Sequence, residues 1–500
     1  MNNVEMNYIK KENIPRFQES IHDFYRETPL RILEVEQGII LPARSPQVYG
    51  KSQPWMGLGG VLNDDMEFIS LSGIEATDFE GLVFGGKYDI DESRVEYCDE
   101  VVVYMGLFMA HWGHFLLEYC TRLWYVIEKG VKYKIVFIKT DWKNNSFEGP
   151  YVEFLKLLGI EKSRMMFIET PTQFKKIIIP EQSYLRNKYY TKNYTNLISY
   201  VKNNVNLSLP VYEKIYFSRK EFVKNTCPQK EHGEEAIEKS FQINGFKVLY
   251  PEKMSTFEQI WYVKNCNQLV VAIGGAGCNT VFLDRGATAI FLEKMAINGG
   301  DTLQICQSAG VEKIVYIDCY RNIFPQISRS YGAGPHCLAV TRELVCFLKE
   351  HKMNSISCIR RGLADIDTFI WISRIVLSDY YKKVIHSKSN IHYIFPTDEI
   401  PEKSKLIIYA GGKVGKSYIK YLKKEKKFSL ILWVDKNYNK IKKYKGYTPC
   451  GVDAIKNVAY DYILIAVGSK ELADAISIEL KNEGIDEKKI LWFEPQILKE

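Results

Sequence analysis

His111, His114, Glu118 and Arg122 punctuate a run of residues that is otherwise apolar and aromatic, Ala110 to Trp124. An ionisable side chain is costly to bury in such company, so each one asks for a purpose. If the run is helical from Gly113, then His114, Glu118 and Arg122 follow one another at four-residue steps and line one face, while Phe115, Leu116 and Trp124 pack behind them. The chemistry on offer is an acid, a base and an anion-binding cation on one stripe. His114 or Glu118 can take a proton from a hydroxyl, and His111, at the turn before the helix, is a second candidate base. The plainer alternatives stay open: His114 as a hydrogen-bonded core histidine, and Glu118 as the structural partner of Arg122.

A second group of residues suits phosphate. Gly274-Gly275-Ala276-Gly277-Cys278-Asn279 lies between an apolar strand at 268–272 and a helix at 278–285. Glycines there let the backbone approach a ligand closely, and the helix amides attract phosphate oxygens. Arg219 and Lys220 follow another strand, 214–217, where a guanidinium can pair with a diphosphate. Glu293 ends the strand after the glycine turn, a position suited to a ribose hydroxyl. Asp89, Asp141 and His336 are weaker candidates, because loop aspartates more often cap helices and a turn histidine is a common structural residue. A third glycine turn, Ala410-Gly411-Gly412-Lys413-Val414-Gly415, opens after strand 405–409, and Asp435 ends the next strand twenty residues beyond Gly415. This is close to a dinucleotide fingerprint built on Gly412, Gly415 and Asp435, with alanine in place of the first glycine.

The elements that must position these groups alternate between strand and helix, which indicates an α/β chain. Residues 1–205 form a first domain elaborated with short strands, 206–337 a second, 338–402 a helical segment with a linker, and 403–500 a small third domain. Two βαβ domains in tandem leave a cleft at the carboxyl ends of their strands, where open α/β sheets bind ligands.

Gly113-His114-Phe115-Leu116 with Glu118 and Arg122, then Phe217-Ser218-Arg219-Lys220, then Pro251-Glu252-Lys253-Met254-Ser255, and finally Gly274-Gly275-Ala276-Gly277-Cys278-Asn279 occur in an order that resembles glycosyltransferase family 61 over roughly residues 80–300. The resemblance implies a GT-B pair of Rossmann-like domains, a nucleotide-sugar donor, commonly UDP-linked, inversion at the anomeric carbon, and no required metal or cofactor. His114, Arg219, Gly275, Ala276, Gly277 and Asn279 carry over position by position. The chain departs from the family pattern where Gly274 replaces a frequent histidine and where a second arginine after the Ser-Arg strand is missing. The last hundred residues resemble the small Rossmann-like modules attached to sugar-modifying enzymes.

Composition narrows the rest. A chain of 500 residues with 46% hydrophobic and 25% charged residues is ordinary globular protein with more than one core. The eleven cysteines show no C-x-x-C spacing, which disfavours a zinc site or a disulfide framework. A net charge of +7, with lysines spread through 413–445, fits a solvated surface compatible with peripheral membrane contact at an acidic inner face. No nucleic-acid-binding motif is present. The start is polar and no segment is apolar enough to span a bilayer, so the expectation is a cytoplasmic protein, with an oligomer left open. The leading reading is a transferase that adds a sugar to a surface or capsular polysaccharide or a lipid-linked glycan. A nicotinamide-dependent sugar oxidoreductase or epimerase acting through the third domain, with NAD as cofactor, and a non-catalytic nucleotide-sugar-binding subunit are the alternatives.

Overall fold

The computed structural model describes residues 3–44, 47–48, 51–52, 57–75, 82–139, 146–296, 300–324, 334–388 and 392–498; Asp141 lies outside them. The chain divides into two compact units, Met1–Ile375 and Val376–Glu500, and the boundary falls within one long helix, Cys358–Lys388.

The first unit is mixed α/β with two large sheets. In one, the parallel strands Met165–Ile168, Lys134–Lys139, Glu96–Phe108 and Thr172–Pro180 lie side by side, and Ile32–Glu36, Ile39–Arg44 and Leu58–Leu62 extend it in antiparallel fashion. The other is wholly parallel, in the order Asn3–Tyr8, Lys313–Asp318, Thr288–Glu293, Gln268–Ala272, Lys214–Phe217, Lys247–Leu249. The N-terminal strand, grouped by sequence with the first domain, therefore completes the edge of the second sheet. The inner strands read as near-continuous apolar runs, as parallel strands covered on both faces must. One apolar core runs from Val103 and Phe137 through Leu116 to Val271 and Phe291, so it belongs to both sheets. The far face of the second sheet is covered by Ile237 and Phe241 of one helix and Leu344 and Phe347 of another.

The helix after strand Glu96–Phe108 is not continuous. Trp112–His114 is one helical turn, Phe115–Tyr119 is a π turn in which the Cys120 amide bonds the Phe115 carbonyl at 2.8 Å, and a regular helix resumes only at Leu123–Lys129. A π turn adds a residue to the cycle and shifts the phase of everything after it. The stripe expected from four-residue spacing therefore breaks after Glu118. Arg122 is 1% exposed and turns into the body of the fold, where Nε donates to the Pro180 carbonyl at 2.9 Å, Nη1 to Met105 at 3.3 Å, and Nη2 to Leu71 at 2.8 Å and Gly73 at 3.3 Å. It is not the partner of Glu118. Gly106, with φ of +94°, makes room: a Cβ there would lie 2.7 Å from Arg122 Nη1.

In the second unit, four parallel strands in the order Ser429–Val434, Lys405–Tyr409, Tyr462–Ile465, Ile490–Leu491 pack against helices Lys413–Lys424 and Lys470–Asn482.

Arg122 fastens three chain segments by four of their carbonyls, and removing a buried hydrogen-bonded group strands its partners. Arg122→Met is expected to lower unfolding stability by about 3 kcal/mol or more in urea titrations. A change within about 0.5 kcal/mol would show that the carbonyls find other donors.

Candidate functional site

Parallel strands deliver their following loops to one edge, so the carboxyl ends of neighbouring strands converge. In the second sheet, three adjacent strands place Arg219 after Phe217, Gly274 after Ala272 and Ile273, and Lys294 after Glu293. The chain leaves strand Lys214–Phe217 on one side for Lys247–Leu249 and on the other neighbours Gln268–Ala272, so Arg219 and the glycine turn flank the point where strand order reverses. Gly274 has a φ of +148°, and a Cβ built on it would meet Arg219 Nη1 at 3.3 Å and Lys294 Nζ at 3.8 Å. A side chain there would fill the space in front of both cations.

Glu231 holds those cations together. Arg219 Nε donates to its Oε1 at 2.8 Å and Lys294 Nζ to its Oε2 at 3.3 Å. Burial pushes the Glu231 carboxyl up, but the adjoining Arg219 and Lys294 charges prevail and leave it below its ordinary range. The carboxylate is fixed by a two-stranded pairing of Glu231–His232 with His336–Cys337, which also brings buried His336 to the cleft wall. The Arg219 amide in turn donates to Glu234, at 3.0 Å to Oε1 and 3.2 Å to Oε2, and the Tyr216 hydroxyl reaches Glu234 Oε1 at 3.1 Å. Burial, assisted by the Glu231 charge, raises Glu234 to about 7.

Across the cleft stands the segment after strand Glu96–Phe108. His114 Nδ1 lies 3.0 Å from Glu118 Oε2, and Arg186 Nη1 stands 4.0 Å from Glu118 Oε1 while its Nε donates to Asp301 at 2.7 Å. Glu118 is raised by burial, yet the charges of His114, Arg186 and His111 outweigh that and keep it below the ordinary carboxyl value. His111 is lowered to about 4, by burial first and by repulsion from His114 second. The rings of His111 and His114 meet edge to face with centroids 4.7 Å apart.

The two walls touch directly. A Cβ on Gly113 would stand 3.0 Å from Cys278 Sγ and 3.5 Å from the Gly275 Cα. Trp112 Nε1 donates to Asn279 Oδ1 at 2.8 Å, and Asn279 Nδ2 donates to Gln259 Oε1 at 3.0 Å. Between the walls is a cavity of about 1010 Å³ lined by His111, His114, Glu118, Arg219, Glu231 and Lys294 together with Gly274 to Asn279. That volume stands at the upper end of the roughly 300–1,000 Å³ usual for small-ligand pockets.

Of the candidates named from sequence, His111, His114, Glu118, Arg219, Gly274, Gly275, Ala276, Gly277 and Asn279 line this cavity. Gly275–Phe282 is a 3₁₀ helix and replaces the helix expected over 278–285. Lys220 turns aside, its Nζ donating to Glu238 at 3.0 Å. Glu293 is 2% exposed and points away from the cleft, because successive side chains on a strand face opposite sides; Lys294 points in. Glu293 sits beside Asp318 with neither carboxylate oxygen hydrogen-bonded among the described residues, and burial, then the Asp318 charge, push it well above the carboxyl range. Asp89 is exposed and outside the cavity lining. Sequence reading did not single out Lys294, Glu231, Arg186 or Asp301. The signal for Lys294 was its place one residue past an apolar strand, and Arg186 stands one residue past the short strand Tyr184–Leu185.

In the second unit, Asp435 Oδ2 accepts from the Gly411 amide at 2.6 Å and its Oδ1 from Asn437 at 2.7 Å. Gly415 faces the Ala410 carbonyl so closely that no Cβ fits, and Gly412 begins helix Lys413–Lys424.

An imidazole held by a carboxylate, facing paired cations over one cavity, suits a group-transfer enzyme. Residues 112–290, about a third of the chain, match the family model described as glycosyltransferase 61, and the chain is a glycosyltransferase. Residues 402–491 match the family model described as C2185-like, N-terminal. No curated protein matches the chain. Among the described residues no helix is long and apolar enough to cross a membrane.

Glu234 makes stability depend on pH with a definite sign. Its folded value of about 7 lies above the ordinary carboxyl value, so the folded chain keeps a proton that the unfolded chain releases. That stabilisation is complete below the ordinary carboxyl range and disappears as pH rises through about 7. Glu234→Gln, which keeps an acceptor for Arg219 and Tyr216, should flatten the decline in unfolding stability between about pH 5 and pH 8. Urea midpoints with the same slope as wild type across that range would contradict the assignment.

Proposed function

We propose that the protein is an inverting glycosyltransferase of GT-B type that moves a sugar from a nucleotide sugar, with UDP as the expected nucleotide, onto a glycan acceptor of the surface-polysaccharide class, without a required metal ion or cofactor. The observation that carries this reading is the convergence of Arg219 and Lys294 in front of Gly274, facing His114 and Glu118 over one cavity.

In this reading the diphosphate lies against Arg219, Lys294 and the glycine turn, and the acceptor lies on the His114 side. The acceptor oxygen attacks the anomeric carbon from the face opposite the diphosphate, forming one carbon–oxygen bond as the bond to the diphosphate breaks. His114 receives the hydroxyl proton, and the Glu118 carboxylate, 3.0 Å away, orients the ring and stabilises the imidazolium. Arg219 and Lys294 meet the negative charge that develops on the leaving group. His111 is the poorer base, because a ring lowered to about 4 holds a proton weakly. Glu231 keeps the two cations converged before the donor arrives. The protein acts from the cytoplasmic side, where nucleotide sugars and lipid-linked intermediates meet.

Purified protein should slowly release UDP from a UDP-sugar in the absence of acceptor, and Arg219→Ala should abolish that release. Hydrolysis at the wild-type rate in Arg219→Ala would remove the donor site from this location. His114→Ala should lower kcat by about 10²- to 10⁴-fold, the usual contribution of a general base, with donor KM little changed. Loss of donor affinity in place of kcat would move His114 from proton transfer to binding.

A further inference from the structure

Residues 413–445 carry twelve lysines against two acids, Glu425 and Asp435, a surplus larger than the +7 of the whole chain. Helix Lys413–Lys424 itself contains no acid. Its Lys413, Lys416, Lys420, Lys423 and Lys424 fall within about 100° of arc at the usual helical pitch. Val414, Tyr418, Ile419 and Leu422 are buried on the other side, in the core of the second unit. A second row of lysines lies beside the first, on the segment that follows strand Ser429–Val434. Ile441 packs on Gly411 just before the helix, Lys416 Nζ stands 6.0 Å from the centre of the Tyr444 ring, and Lys423 Nζ donates to the Lys445 carbonyl at 2.6 Å. Tyr444 and Tyr447 close a tight turn through paired amide–carbonyl bonds of 2.9 and 3.0 Å. The segment therefore runs along the helix and adds exposed Lys440, Lys442, Lys443 and Lys445 to the same surface. Glu425 is half-buried, and Asp435 is turned onto the Gly411 and Asn437 amides.

Such a surface works against the helix that carries it. Lys416, Lys420 and Lys424 repel one another at four-residue steps, and Lys413 and Lys416 stand at the end of the helix where the backbone dipole favours acids. Helix Lys470–Asn482 of the same unit shows what an ordinary solvated face looks like, with Lys470, Glu471, Asp474, Glu479 and Lys481 mixed in sign. The kind of cation narrows the partner, because residues 376–500 contain no arginine. Arginine forks onto single phosphates and stacks on bases, whereas lysine is a hydrated point charge suited to diffuse attraction toward a charged plane. Tyr438, 39% exposed, is the one large hydrophobic side chain on view among the described residues of 411–447. Its amphipathic ring suits the headgroup layer of a bilayer, and with nothing else to insert the contact rests on charge.

We propose that this lysine surface of the second unit docks on the anionic headgroups of a lipid bilayer. Both of its rows are held in place before contact, the helix by its buried side and the neighbouring segment by the Lys423 bond and the Tyr444–Tyr447 turn. The attraction is the summed pull of many lysines on a negative plane, and salt screens it. None of these residues lines the cavity, so the inference stands apart from the reading of the active site.

Cosedimentation of the full chain with vesicles of about 30% phosphatidylglycerol in phosphatidylcholine should show binding that phosphatidylcholine alone does not support and that falls at least about tenfold between about 0.05 and 0.5 M salt. A lysine close to an anionic surface raises partitioning about fivefold. Lys424→Glu combined with Lys443→Glu should therefore weaken binding by at least about tenfold with Tm retained, since both side chains are exposed. Lys440→Gln combined with Lys442→Gln, a milder change on the same surface, should weaken it by at least about fivefold. Lys470→Glu combined with Lys488→Glu alters the net charge as much as the first pair but lies outside the surface, and should leave binding within about twofold of wild type. No binding to the phosphatidylglycerol vesicles, or equal binding to both kinds, overturns the proposal. Equal losses in the two charge-reversed pairs overturn it as well, since net charge and not this surface would then govern binding. Capture of poly(U) RNA at lower protein concentration than the vesicles, lost in Lys424→Glu with Lys443→Glu, overturns it in favour of nucleic acid.

Discussion

The site depends on how closely the chain can pass itself at Gly113 and Gly275. Two segments, one from the end of each sheet, approach until a single Cβ at position 113 would press on Cys278 Sγ at 3.0 Å. The absence of side chains there sets the distance across the cleft, and Trp112 to Asn279 to Gln259 fixes it with two hydrogen bonds. A second tie on the first-sheet side, Arg186 to Asp301, keeps the walls from turning about the first. Gln304 strengthens that tie by donating to the carbonyls of Leu185 at 2.9 Å and Tyr189 at 2.8 Å. With one apolar core running under both sheets, the walls of the cavity are parts of one packed body.

Charge is arranged in the cavity by the same economy. Like charges gathered at one wall repel one another, and a buried carboxylate between them offsets that repulsion. Glu231 does this for Arg219 and Lys294, and Asp301 with Glu118 does it for Arg186. The result is that the cations on both walls are each locally neutralised by a carboxylate. Preorganised charge of this kind acts on a transition state without reorganising.

The sequence made the alternation of strands and helices legible, because parallel strands covered on both faces are short apolar runs ended by glycine or a polar residue. It also made legible which turns face the cleft, since Arg219 and Gly274 each follow the carboxyl end of such a run. Three features escaped it for identifiable reasons. The π turn at Phe115–Tyr119 is closed by a 2.8 Å bond from the Cys120 amide to the Phe115 carbonyl, and no spacing rule signals that extra residue. The position of Asn3–Tyr8 in the second sheet is a pairing over some three hundred residues, for which a local pattern holds no information. The exchange of Glu293 for Lys294 turns on strand parity, where an error of one residue sends a side chain to the other face.

Arg122 and Glu118 separate two meanings of a buried charge. Both lie in the same aromatic run, Arg122 fully buried and Glu118 largely so, and burial costs either charge. What differs is the partner. Arg122 is answered by four backbone carbonyls, groups that neither titrate nor move, and its charge is spent on joining chain segments. Glu118 is answered by His114 and Arg186, side chains that line the cavity. A buried ion satisfied by backbone is architecture. One satisfied by side chains at a cavity wall can change state during a reaction, and in this chain the π turn sends consecutive ionisable positions of one helical run to these two fates.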